Sequence, residues 1–140
     1  MNGTTDILNP FAQMIADAAD IRNALRESVA NLELAIEAEA TARRIAKEAK
    51  EAHENAEAEF TAEAMPTLDG KNGETRKAQL DAALVAARRA GVLAQTWARM
   101  NATKYAADDA AMALEQASER FRATESAADL TAAMLRAATR

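Results

Sequence analysis

The chain has no cysteine, only two prolines and four glycines among 140 residues, and aromatics make up 4% of it. Without cysteine there is no disulfide, no thiolate metal site and no cysteine nucleophile. With three Phe, one Trp and one Tyr, a thick core built on large side chains is excluded. No run approaches the length of about 18 apolar residues that a membrane span needs, and the opening "MNGTTDILNPFAQM" lacks the basic and apolar regions of a secretory leader. A soluble protein of the cytoplasm is expected. What the chain has instead is alanine, 39 residues of it. Alanine is the best helix former and lets helices approach closely, so long helices side by side with a thin seam are expected.

Glycine and proline are not only few but clustered. None lies between Phe11 and Met65, and from Glu74 to Arg140 there is only Gly91. Two helical arms follow, over about residues 10–65 and 74–138, joined by a loop at 66–73. The whole of 1–140 reads as one helical domain. Asn9 reads as the N-cap of the first arm and Pro10 as its first helical residue; Pro66 ends it, because the residue before a proline disfavours helical backbone. Gly91, in "ARRAGVLAQTW", leaves the second arm either continuous or broken into a short helix ending near Arg89 and a long one starting near Val92.

Apolar residues recur at steps of three and four, at Phe11, Met14, Ala18, Ile21, Leu25, Val29, Leu32 and Ile36, then Ala38, Ala42, Ile45, Ala49, Ala52, Ala56 and Phe60. The return arm offers Leu80, Leu84, Ala87, Leu93, Trp97, Met100, Ala107, Ala111, Leu114 and Phe121, then Leu130 and Met134. Residues 1–73 hold 14 acids and 7 bases, a net −7, and 74–140 hold 8 and 10, a net +2, which together give −5. Oppositely charged arms favour an antiparallel, coiled-coil-like hairpin. Folding about the centre of the loop sets Glu63 near Arg76, Glu51 near Arg88, Leu25 near Leu114 and Trp97 opposite Ala42. The fold class is therefore all-α, a long hairpin with an alanine-rich seam. Phe11, Ile15, Ile21, Leu34 and Ile36, with Leu130, Met134 and Leu135, cover more than one helical face. A second copy is expected to cover them, as a dimer or four-helix bundle. Phe11, Ile21, Leu25, Leu32, Trp97, Leu114 and Phe121 are the residues of the seam or oligomer contact.

No catalytic, cofactor-binding or metal-ligating constellation stands out, so no enzyme is expected. His53, the only histidine, has Glu57 four residues on, too few ligands for zinc; it reads as a solvated helix-face residue. The acids of "EAKEAHENAEAEFTAE", Glu48, Glu51, Glu54, Glu57, Glu59 and Glu63, read as a solvated face, since a general acid needs a desolvated pocket. Such a row can also occupy another protein's DNA groove as a decoy. Direct nucleic-acid binding is not expected, because Arg76, Lys77, Arg88 and Arg89 face an acidic arm and no aromatics interleave them. Nor is membrane binding, with Asp17, Asp20, Glu27 and Glu33 on the first arm.

The loop "LDGKNGETRKAQL" has a turn pair in Asp69-Gly70, a cap in Asn72 and a first-turn acid in Glu74. "GKNG" lacks the strand and spacing of a phosphate-binding loop. Over about a dozen residues the segment resembles a small family of bacteriophage-encoded coiled-coil proteins with Gly-Lys-Asn-x-Glu-x-Arg between two charged helices. Gly70, Lys71, Asn72, Glu74 and Arg76 match it, and "ARRAGV" departs from it downstream. The resemblance implies a phage or prophage origin, with some members near recombination or replication. The loop is then a rigid corner, in which Lys71, Asn72, Glu74 and Arg76 satisfy backbone groups and each other, or a tip that touches a partner. The expected function is a non-enzymatic interaction protein that binds a phage or host protein. The alternatives are an inhibitor of host defence, such as an anti-CRISPR or nuclease inhibitor with a DNA-mimicking face, and a virion assembly or scaffolding part.

Overall fold

A computed structural model describes the backbone from Gly3 to Arg140 and side chains from Pro10 onward. Among the described residues there are three α-helices and no strand: α1 (Gly3–Ala64), α2 (Gly73–Ala90) and α3 (Ala94–Ala138), with a 3₁₀ turn at Met65–Thr67. The protein is an all-α helical hairpin in which a long helix packs on a returning one. Its contacts group into two compact units, a terminal unit of Met1–Ala38 with Ala111–Arg140 and a loop unit of Glu39–Ala110.

The first helix begins at Gly3 rather than Pro10, and Pro10 lies inside it. Nothing between residues 4 and 9 breaks a helix, and α1 runs on through the proline although it loses an i→i−4 bond and crowds the carbonyl four residues back. The side chain of Asn9, the expected cap, lies outside the described residues. Pro66 does end α1, which gives way at Ala64 to the 3₁₀ turn.

The second arm is broken at Gly91. There the backbone turns out of the helix (φ −103°, ψ −156°) and the Gly91 and Leu93 N–H groups both donate to the Ala87 carbonyl, at 3.0 and 3.2 Å. A Cβ at Gly91 would stand 2.7 Å from the Ala87 Cα, so close approach rather than backbone conformation demands the glycine. The break drops Leu93, 2% exposed, into the seam.

In each unit the burial follows a seven-residue repeat, the pattern of a coiled coil. On α1 of the terminal unit it runs Met14, Ala18, Ile21, Leu25, Ser28, Leu32 and Ala35; on α3 it runs Leu114, Ala117, Phe121, Thr124, Ala128, Thr131 and Leu135, all half-buried. In the loop unit it runs Glu39, Ala42, Ala46, Ala49, His53, Ala56 and Phe60 on α1, against Leu93, Thr96, Met100, Thr103, Ala107 and Ala110. The expected stripe is corrected at several positions. Val29, Ile36 and Ile45 are exposed, and Ser28, Ala35 and Ala46 stand in the seam in their place. Leu130 and Met134 are exposed, and Thr131 and Leu135 replace them. Phe11, offered as a seam residue, is 44% exposed; α3 ends at Ala138, before a residue that would face it. Ile21, Leu25, Leu32, Trp97, Leu114 and Phe121 are half-buried on the seam faces.

The register is also corrected. Arg88 meets Glu57 rather than Glu51. Trp97 lies against His53 and shares a groove with Ala46 and Lys50 instead of facing Ala42. Leu25 shares a groove with Ala128, Thr131 and Leu135 instead of meeting Leu114. Arg76 binds the loop rather than Glu63. The loop does not bisect the hairpin, because residues 69–70 lie back along the first two turns of α2. The break at 91–93 then adds residues that gain little length along the return arm.

Candidate interaction surfaces

Three features of the loop unit are built well enough to do chemistry or recognition. The first is the loop itself. Asn72 caps α2, its Oδ1 accepting from the Thr75 N–H and hydroxyl, both at 2.8 Å. Arg76 Nε donates to the Gly70 carbonyl at 2.9 Å, the Gly70 N–H donates to Gln79 Oε1 at 3.2 Å, and Gln79 Nε2 donates to Asp69 Oδ1 at 2.9 Å. Gly70 is buried, and a Cβ there would meet the Arg76 nitrogen at 2.9 Å. These bonds make a tied corner of Gly70, Asn72 and Arg76. Lys71 and Glu74, expected to join it, are exposed and make no hydrogen bond or ion pair among the described residues; their side chains face outward. Gln79, which sequence reasoning passed over, takes the place expected for them.

The second feature is a polar cluster in the seam. His53 is 2% exposed, not solvated as its sequence neighbourhood suggested. Its Nε2 donates to Glu57 Oε1 at 2.9 Å and its Nδ1 lies 3.0 Å from Thr96 Oγ1. The ring stacks tilted on Trp97, centroids 5.2 Å apart. The same Glu57 oxygen accepts from Arg88 Nε at 2.6 Å and from a terminal guanidinium nitrogen, while the guanidinium carbon sits 4.8 Å from the Trp97 ring centroid. A buried imidazole is tolerated because both ring nitrogens have partners, and no buried side-chain polar atom among the described residues lacks one. The heptad position of His53, one repeat beyond Ala46, was the signal in the sequence. It was hidden because the neighbouring alanines occupy every face equally.

The third feature is a groove of about 540 Å³ floored by Ala46, Trp97 and Met100 and rimmed by Lys47, Lys50, Asn101 and Lys104. Lys47 and Lys50 hold only loose ion pairs, to Glu51 at 4.0 Å and Glu54 at 3.7 Å.

The acidic row is loosely paired except at Glu57. Glu48, Glu51 and Glu54 each pair with a base one turn earlier on α1, Arg44, Lys47 and Lys50, and Glu57 pairs with Arg88. Glu59 and Glu63 border a smaller groove with Phe60 and Leu93. Among the described residues no group of three metal-ligating side chains gathers, and no helix is long and apolar enough to cross a membrane.

Exposed apolar side chains occur in both units: in the terminal unit Ile15, Val29, Leu34 and Ile36 on α1 with Met112, Leu130 and Met134 on α3, and in the loop unit Ile45, Val85, Val92 and Tyr105. Comparison with protein-family models, curated proteins and solved structures gave no match.

Proposed function

We propose that this chain is a non-enzymatic interaction protein of phage origin, a helical hairpin that self-associates and binds a further protein. The observation that carries this reading is the poverty of its own core. Among the described residues only Ala49, His53, Ala87 and Leu93 have buried side chains, while apolar side chains as large as Leu34 (63%) and Leu130 (63%) stay exposed. The chain exposes 10447 Å², whereas a compact monomer of 15.0 kDa exposes about 7,000 Å². An ordinary interface removes about 800 Å² per partner, so the surplus is ample for one or more. For the further protein, the groove at Trp97 offers an indole floor under three ammonium groups, which suits an acidic segment bearing an apolar side chain. The phage assignment rests on the Gly70 to Arg76 resemblance, and a role near recombination or replication is its extension.

The acidic-decoy alternative, an inhibitor of host defence, has less behind it. A decoy needs free carboxylates at phosphate-like spacing; Glu57 is held by Arg88, and Glu48, Glu51 and Glu54 each have a base one turn away that offsets their charge. The test is affinity capture from phage-infected extract with tagged protein, washed at low and high salt. A phage recombination or replication protein is expected, its hold loosened at high salt as the lysine rim is screened but kept by the apolar contact with Trp97. A host nuclease or DNA-binding effector that washes off with salt would replace this reading with the decoy, and a virion protein with the scaffold.

A further inference from the structure

The self-association proposed above has a definite surface. On α1 of the terminal unit, Ile15, Arg22, Val29 and Ile36 follow one another at seven-residue steps beside the seam. They form a third line next to the two that the seam uses. The corresponding line on α3 is Ala111, Ser118, Glu125 and Ala132. In an antiparallel pair these two lines share one side, and a groove lined by both Arg22 and Ala132 places them there. Ile15, Val29 and Ile36 are 52%, 37% and 50% exposed. Two apolar lines suffice for a two-helix seam; a third on the same side belongs to a helix that faces two neighbours.

Charge says what the second neighbour is. Flanking this strip, α1 carries Arg22, Arg26 and Glu33, and α3 carries Arg122, Glu125 and Asp129. All six are exposed, and none makes an ion pair among the described residues, unlike the bridged row of the loop unit. The groove sets Ala18 to Leu25 against Ala128 to Leu135. That register brings Arg22 level with Asp129, Arg26 level with the gap between Glu125 and Asp129, and Glu33 level with Arg122. Each match holds to within about 3 Å at 1.5 Å per residue.

We infer that two copies pack through this strip as a four-helix bundle about a twofold axis parallel to the helices. The axis lays α1 of each copy antiparallel over α3 of the other, keeps these levels, and meets each base with an acid twice over. The alternative twofold, α1 on α1 about an axis across the helices, pairs Arg22 with Glu33 and Arg122 with Asp129 but leaves Arg26 level with Val29 and sets Glu125 beside its own copy. Under it the combined four-residue charge swap would not restore the dimer.

This inference rests on the self-association reading, and the experiment separates their failures. The mass of the full chain is measured against concentration by sedimentation, with helix content followed by circular dichroism. The wild type is expected at twice 15.0 kDa. Arg22→Glu with Arg26→Glu, or Glu125→Lys with Asp129→Lys, sets like charges opposite each other at symmetric sites and weakens the dimer roughly tenfold to a hundredfold. All four changes together restore it. Val29→Asp with Ile36→Asp abolishes the dimer without loss of helix, and Leu34→Glu, on the other side of α1, leaves it intact. A wild-type monomer at every concentration overturns both the inference and the self-association reading. A dimer indifferent to the charge swaps and to Val29 and Ile36 overturns the inference alone.

Discussion

Replacing Glu57 by alanine tests the cluster that ties α1 to both segments of the return arm. The carboxylate serves two donors, His53 at 2.9 Å and Arg88 at 2.6 Å. A hydrogen bond to a charged group contributes about 1.5–3 kcal/mol when protected, and an exposed ion pair about 0–1 kcal/mol. The Glu57 and Arg88 side chains are 24% and 28% exposed, so an intermediate coupling of about 1.5 kcal/mol is expected. Truncation also orphans His53 Nε2 on a side chain only 3% exposed, which costs about 1 kcal/mol more, while alanine returns a few tenths in helix propensity. The net loss for Glu57→Ala is about 2 kcal/mol. Urea unfolding of wild type, Glu57→Ala, Arg88→Ala and the double variant, at one fixed protein concentration, gives the coupling directly. Trp97, the only tryptophan, supplies a local fluorescence signal, since Arg88 lies over its ring. A coupling below about 0.5 kcal/mol would show that the pair is screened like any surface bridge and that the cluster does not hold the arms together.

Two further substitutions test the corner and the break. Gly70→Ala must push against the backbone of Arg76, 2.9 Å from the new Cβ, and lower stability by about 1–3 kcal/mol in the same assay; unfolding at the wild-type midpoint would mean that the corner yields freely. Leu93→Ala removes the most deeply buried large side chain and costs about 2–3 kcal/mol, the lower part of the usual range because the surrounding seam is only half-buried and water can enter. A loss under about 1 kcal/mol would show that the break does not anchor the return arm.

The helices and their ends were legible because the signals are local. Pro66 stops α1 and Asn72 caps α2 through its own side chain, each through backbone geometry that neighbouring residues share, whereas Gly91 marks where the return arm can break without deciding that it does. Pro10 misled for the same reason. It is a good first helical residue, yet a helix that already exists tolerates it near its start.

Which face of each helix is buried was much less legible. Alanine lies on every side of α1, so the pattern of large residues points to the wrong seam: Val29 and Ile36 point away from it and Ser28 and Ala35 point into it. Two adjacent apolar lines look alike in sequence, and only contact with α3 separates the line that closes the hairpin from the one left open.

The sequence by itself determined an all-α chain of alanine-rich arms, turned at 66–73 and weakened at Gly91, because helix propensity and its interruptions act over a few residues. The tertiary structure alone decided the register. It brought His53 under Trp97 and joined Glu57 to both His53 and Arg88, since how far one helix slides along another depends on loop packing and on contacts between residues far apart in the chain.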